Sequence, residues 1–378
     1  MSPKLAGKDV SWGTIGYHAR GLFAVALSLA VLVGGGLFVY SKVHDAYIEW
    51  RTEEDYIGEG TEEVEVVIPK GANVTQTGDI LWEAGVVRST RAFRNAAQKS
   101  GQAEKLSYGR FRLRKELPAE TAFNMLLDSR NEVKLWVTFP EGTNKAEQAK
   151  IISTGITAGE TKLSVDMDTV LAAYEDPSVY GLPEWAPPDS LEGFLFPSTY
   201  QVGEPIEAPA IIAGQVNQFK KIAEETGLQQ RAEEAGRNPL DVLVTASIIE
   251  GEVHDPDYQP LVAAVIYNRL AKDMKLEMDS TVHFAVGKTG RVSTTEEDRK
   301  FDSPYNTYLY TGLPPGPINS PGQTAIEAAL SPSDTDALFF VTVNLDTGET
   351  KFANTLEDHN KNVAELRAWC TSTGSPLC

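Results

Sequence analysis

Val66-Val67-Ile68-Pro69-Lys70-Gly71 and Val137-Thr138-Phe139-Pro140-Glu141-Gly142 are one pattern written twice. A short β-forming run meets a Pro-X-Gly turn, and nine residues past each glycine stands an apolar pair, Ile80-Leu81 or Ile151-Ile152. Each copy predicts a strand, a tight turn and an amphipathic helix. Two copies are too few for a solenoid, so they predict two α/β subdomains.

Working outward from the first copy, a helix from about Thr75 is expected to end at Gly85. Ser89 can cap a second helix ending near Gly101, because its hydroxyl accepts from a free N–H of the first turn. Tyr108 to Leu113 reads as a strand, and Pro118 begins a helix through Leu127. Past the second copy, Pro183, Pro187 and Pro188 mark an irregular crossing. Leu191-Glu192-Gly193-Phe194 then opens an aromatic-rich turn carrying one acid, and helical pattern returns from Ala208 to Gly227.

The next helix carries the chemistry. Asn238 reads as its N-cap, Pro239 as its first residue and Gly251 as a stop signal. Between them lie Leu240, Val242, Leu243, Val244, Ala246, Ile248 and Ile249. A helix apolar nearly all round is buried. Glu250 therefore ends a buried helix, where desolvation and the helix dipole both disfavour its charge and raise its pKa. The competing reading is a glutamate that emerges into solvent. Pro260 opens a further helix through Asn268 and Leu270.

Gly21 to Tyr40 contains no charged residue. About 20 apolar residues suffice to cross a bilayer. Lys4, Lys8 and Arg20 precede the segment against one acid, Asp9, whereas the whole chain carries −19. The positive-inside rule then places the N-terminus in the cytoplasm and the acidic bulk outside. Such a bulk offers no basic surface for nucleic acid. The two cysteines, Cys370 and Cys378, could form a small disulfide loop or remain free thiols. The five histidines, His18, His44, His254, His283 and His359, show no metal-ligand spacing. No cofactor motif is present.

Two further segments combine polar side chains with features of a cleft: Asn268-Arg269 followed by Glu277 to Val282, with Asp279, Ser280 and Thr281; and Tyr305-Asn306-Thr307-Tyr308 leading into Gly312-Leu313-Pro314-Pro315-Gly316-Pro317-Ile318-Asn319, the latter suited to a sugar chain. Prolines and glycines exclude helix from the last run. Aromatic rings pack on pyranose faces while amides meet hydroxyls.

Taken in order, Ala246 to Glu252, Asp279 to Val282, Tyr305 to Tyr308, Gly312 to Ile318, the Leu191 to Phe194 turn and His359-Asn360 resemble the endolytic murein transglycosylases, the YceG-like proteins. The resemblance implies an α+β chain with a single N-terminal transmembrane helix. It implies a cytoplasmic segment over 1–20, the span over 21–41, a stalk over 42–63, a LysM-like α/β subdomain over 64–132, an α+β catalytic domain over 133–366 and a tail over 367–378. It implies a single-pass protein of the cell membrane whose catalytic domain lies outside the cytoplasm. The enzyme would cut the β-1,4 bond after N-acetylmuramic acid in nascent peptidoglycan, leaving 1,6-anhydro ends and terminating strand elongation. Peptidoglycan synthases of the elongation or division machinery are implied partners. The family's catalytic glutamate falls on Glu250. Gly251 departs from the polar or charged residue often found there, so the helix end is expected to shorten or bend.

A hydrolase normally needs two carboxyl groups about the scissile bond. A lytic transglycosylase can use one as acid and then base, with the sugar's own C6 hydroxyl as nucleophile. Glu252, Asp279 and Glu192 are the candidate second carboxylates. On an unbroken helix Glu252 would point away from Glu250. The alternatives are a muramidase-type hydrolase and a non-catalytic peptidoglycan-binding scaffold.

Overall fold

The computed structural model describes residues 31–43, 55–288 and 294–375 and divides into two units, Met1–Val133 and Lys134–Cys378. Residues 31–43 form helix α1. Residues 21–30 of the expected span lie outside the described residues, and no helix among those described is long and apolar enough to cross a membrane.

In the first unit β1 (Glu63–Ile68), α2 (Val74–Glu83), α3 (Thr90–Ser100), β2 (Gly109–Arg114) and α4 (Ala119–Leu127) follow in order. β1 and β2 pair antiparallel, Glu63 opposite Arg114 and Ile68 opposite Gly109. Val66 and Ile68 on one strand and Phe111 and Leu113 on the other alternate inward. They close with Leu81, Phe93 and Phe123 into one core. Ser89 caps α3 by accepting from Ala92 N at 3.1 Å, and Gly101 ends it in the left-handed region, as the sequence predicts.

The second unit begins with β3 (Leu135–Thr138), α5 (Lys145–Thr154), β4 (Ile156–Ala158), β5 (Thr161–Leu163), α6 (Met167–Ala172) and β6 (Thr199–Val202). The sheet order is β5-β4-β3-β6, with every pair antiparallel. Helices α7 (Ala208–Glu225), α8 (Leu228–Glu234), α9 (Pro239–Glu252), α10 (Gln259–Leu270), α11 (Asp279–Ala285) and α12 (Gln323–Leu330) follow. The hairpin β7 (Phe339–Asn344) and β8 (Glu349–Ala353) and helix α13 (Leu356–Thr373) complete it. Mixed α+β architecture is therefore as expected.

Helix α9 is the axis of this unit. Asn238 caps it by accepting from Leu240 N at 2.9 Å, and Pro239 occupies its first turn. Val242, Leu243, Ala246, Ile248 and Ile249 are fully buried in the central core with Phe194, Phe219 and Ile326. Each of the valine, leucine, isoleucine and phenylalanine side chains contributes about 1.5–3 kcal/mol by leaving water. Gly251 does not stop α9, which runs on through Glu252. A Cβ at Gly251 would lie 2.8 Å from Ser280 Cβ, so the glycine admits α11 against the helix end rather than breaking it.

Cys370 in α13 is disulfide-bonded. The sequence has one other cysteine, Cys378, which lies outside the described residues.

Candidate active site

The second strand-turn-helix copy builds one wall around Glu250. Gly142, in the left-handed region, donates its N–H to Ser320 O at 3.0 Å, and Ser320 donates its own to Thr143 O at 3.0 Å. This pairing clamps the Pro140–Thr143 turn to the Pro/Gly loop. The loop is also pinned to α9, because Ile318 N donates to Ser247 Oγ at 3.1 Å and Asn319 Nδ2 to Ser247 O at 2.8 Å. Gly322 N is thereby brought to donate to Glu250 Oε2 at 3.0 Å.

Gln148 of α5 secures the clamp from behind. Its Nε2 donates to Leu195 O at 3.1 Å, Thr143 O at 3.3 Å and Ser320 Oγ at 3.0 Å, and its Oε1 accepts from Gln215 Nε2. Four segments share this one buried amide.

Glu250 is 2% exposed, yet it lines a cleft of roughly 790 Å³. Burial pushes its carboxyl up to about 7, against the lowering effect of the Gly322 N–H; the Glu141 carboxylate adds a further push upward. A carboxyl near 7 can hold a proton at neutral pH and release it, the requirement for a general acid. His254 Nδ1 stands 4.0 Å from Glu250 Oε1.

Glu252 lines the same cleft although the helix is unbroken. Its Oε1 accepts from Ser280 N at 3.1 Å and Ser280 Oγ at 2.7 Å. Burial raises its pKa and the Ser280 bonds oppose the rise. Asp279 reaches the cleft too, but its Oδ1 accepts from Thr294 Oγ1 at 2.6 Å and Tyr308 OH at 2.7 Å. Arg299 adds an ion pair at 3.4 Å. Asp279 thus fastens the 294–308 segment to α11.

Of the remaining expected residues, Ser280 and Asn319 line the cleft and the others serve as staples. Asn268 Nδ2 donates to Thr335 O and Ala337 O at 2.7 and 3.0 Å. Asn306 is fully buried: its amide N donates to Arg299 O and Phe301 O, and its Oδ1 accepts from Tyr308 N. Thr281 Oγ1 donates to Met278 O at 2.7 Å. Tyr305 packs its ring on Phe284 at 4.8 Å. Tyr308 OH is committed to Asp279, and burial, with the Asp279 charge, raises its pKa.

Glu192 is a separate buried carboxyl. Both its oxygens accept from Lys145 N at 3.1 Å, at the start of α5. Burial raises it to about 7. It supports the cleft wall through α5.

Sequence reasoning did not single out Glu141, Thr143, Asn144 and Glu147 from the second copy, His283 and Lys288, or the hairpin turn around Asp346, all of which line the cleft. The capping-box spacing of Asn144 and Glu147 was the one available local signal.

The sequence profile of the YceG-like family matches residues 66–365. The chain belongs to the YceG-like family. A relative from Streptococcus pneumoniae serotype 2, named endolytic murein transglycosylase, is 31% identical over 361 residues, 89% of this chain. The chain spans 63% of that relative's length. A Bacillus subtilis relative of the same name is 31% identical over 344 residues, covering 87% of this chain and 90% of the relative. The crystal structure of a yceG-like protein from Listeria monocytogenes superposes with a TM-score of 0.52 at 29% identity, over 80% of this chain and 99% of that one.

Proposed function

We propose that this YceG-like chain is a lytic transglycosylase that cuts peptidoglycan glycan strands endolytically. The observation that carries the proposal is Glu250, a carboxyl buried enough to stay protonated near pH 7 yet opening on a cleft large enough for sugar rings. Protonated Glu250 gives its proton to the glycosidic oxygen, and the C1–O bond breaks with its electron pair leaving on that oxygen. The Glu250 carboxylate then takes the proton of the C6 hydroxyl as O6 closes on C1. The products are a 1,6-anhydro end and a free 4-hydroxyl, with no water consumed. Glu252 is held by Ser280, and Asn319 and Ser280 line the cleft as candidate sugar contacts.

The single-pass anchor at 21–41 and the extracytoplasmic placement belong to the same proposal, supported by the uncharged Gly21 to Tyr40 run and its flanking lysines and arginine. The LysM-like assignment of 64–132 is supported by two helices inserted between two antiparallel strands. Peptidoglycan synthases are the proposed partners, since the substrate is their product.

Glu250→Gln keeps the shape but lacks the acidic proton. Turnover should fall by about a thousandfold or more, because the variant has no donor for the leaving oxygen. Mass spectrometry of the products checks the class: anhydro ends from the wild type support the proposal, and reducing ends reject it in favour of hydrolysis. Activity should decline as pH rises through about 7, where Glu250 loses its proton. The same shift acts on stability. A buried acid with a raised folded-state pKa binds more protons folded than unfolded, so stability falls between about 4.5 and 7 and is flat above. Thermal melts across that window should lose this slope in part in Glu250→Gln.

A further inference from the structure

We infer that Glu141 is a positioning residue that keeps the proton on Glu250 by standing as a negative neighbour in the same cleft. The inference rests on Glu250 being the acid proposed above. Glu141 and Glu250 line the same cleft from different elements, the turn after β3 and the end of α9. The Glu141 carboxylate lies over Gly322: a Cβ there would meet Glu141 Oε1 at 2.1 Å and Cδ at 2.5 Å. Gly322 is also the residue whose N–H reaches Glu250 Oε2. One glycine therefore lies beside both carboxyl groups. On the other flank, a Cβ at Gly142 would lie 3.5 Å from Glu250 Cγ, so the turn is seated directly against the glutamate.

The charges facing Glu250 can be named. Glu252 ends its own helix and His254, Asp255 and Tyr258 follow it; α11 supplies Asp279 and His283, with Lys288 just beyond; α5 and its turn supply Glu141 and Glu147, and the hairpin turn supplies Asp346. Glu252 and Asp279 are tied by hydrogen bonds to Ser280, Thr294 and Tyr308. Glu147 accepts from Asn144 N as part of a capping box. Glu141 is the carboxylate that lies over Gly322, and like charge favours the protonated form of its neighbour. In the first copy the same turn position is Lys70, of opposite charge.

The test is titration of the Glu250 carboxyl by carbon-13 NMR in the wild-type protein, in Glu141→Gln and in Glu141→Asp, beside the pH profile of kcat/KM on uncrosslinked glycan. In Glu141→Gln the Glu250 titration and the descending limb of the profile should both move to lower pH by about half a unit, the size of a water-screened contact between like charges. Glu141→Asp keeps the charge and should stay near the wild type. An unmoved Glu250 titration in Glu141→Gln overturns the inference, as does an equal shift in both variants. A wild-type Glu250 that titrates in the ordinary carboxylate range, or wild-type protein that yields no anhydro product, overturns the proposed chemistry instead.

Discussion

The two strand-turn-helix copies share a backbone but differ in what their turns touch. In each, a strand enters Pro-X-Gly, the glycine takes positive φ, and an asparagine two residues later caps the helix in a full capping box, Asn73 with Gln76 and Asn144 with Glu147. The first copy spends its side chains on itself. Thr77 Oγ1 donates to Asn73 O within its own helix, Lys70 stands 5.8 Å over the Tyr108 ring, and a Cβ at Gly71 would meet nothing within 4 Å. The second copy faces outward. Gln148, at the position of Thr77, reaches three other segments; Glu141, at the position of Lys70, lines the cleft with Glu250; and Gly142 backs onto Glu250 Cγ. One local fold can thus be a self-contained unit or the wall of a site, depending on two side chains and on what packs beside the turn glycine.

The largest contrast should come from the paired helix positions. Gln148→Leu strips acceptors or donors from Gln215, Ser320 and the Leu195 carbonyl inside the core, at a cost of about 2–4 kcal/mol. It also loosens the clamp that delivers Gly322 to Glu250, so kcat should fall at least about tenfold. Thr77→Val loses one bond to its own helix and should cost about 1 kcal/mol or less, with kcat unchanged. Denaturant unfolding and steady-state kinetics on both variants check this. Equal kcat values for the two would erase the distinction between the copies.

The echo could be read from sequence because its parts are local: β-forming residues, a Pro-X-Gly turn and a helical apolar period. The buried helix before Glu250 was legible for the same reason, since a largely apolar helical segment fourteen residues long with an Asn-Pro start has few other folds. What could not be read was which polar side chains face the cleft. Asn268, Asn306 and Tyr308 have the chemistry of sugar contacts, yet each is occupied with main chain or with Asp279. Glu141 looks like an ordinary turn acid until the Ser320 loop is folded against it. Composition names candidates, but the tertiary clamp decides which of them are occupied.

The turn glycines give a smaller contrast. Gly71→Ala and Gly142→Ala both place a side chain in the left-handed region, at φ of 82° and 74°, and each should cost about 1–2 kcal/mol of stability. Only the second puts a methyl group 3.5 Å from Glu250 Cγ. A several-fold loss of kcat is expected for Gly142→Ala and none for Gly71→Ala, at matched loss of stability in denaturant melts. A matched loss of activity would mean that strain in either turn is what matters.

The helix caps should give the smallest difference and the most specific one. Asn73→Ala and Asn144→Ala each remove the oxygen that accepts from the third helical N–H, a loss of about 1 kcal/mol. The second copy has a reserve that the first lacks. Both Glu192 oxygens accept from Lys145 N, so a carboxylate already serves the exposed donors at the start of α5. Asn144→Ala should therefore cost a few tenths of a kcal/mol less than Asn73→Ala when Glu192 is ionised. Glu192 titrates at about 7, so the reserve should be present at pH 8 and largely lost at pH 6. The sign follows: lowering the pH should widen the cost of Asn144→Ala and leave that of Asn73→Ala unchanged. Unfolding free energies of both variants at the two pH values make the measurement. A cost of Asn144→Ala that stays flat with pH would remove Glu192 from the support of the cleft wall and leave the two caps equivalent.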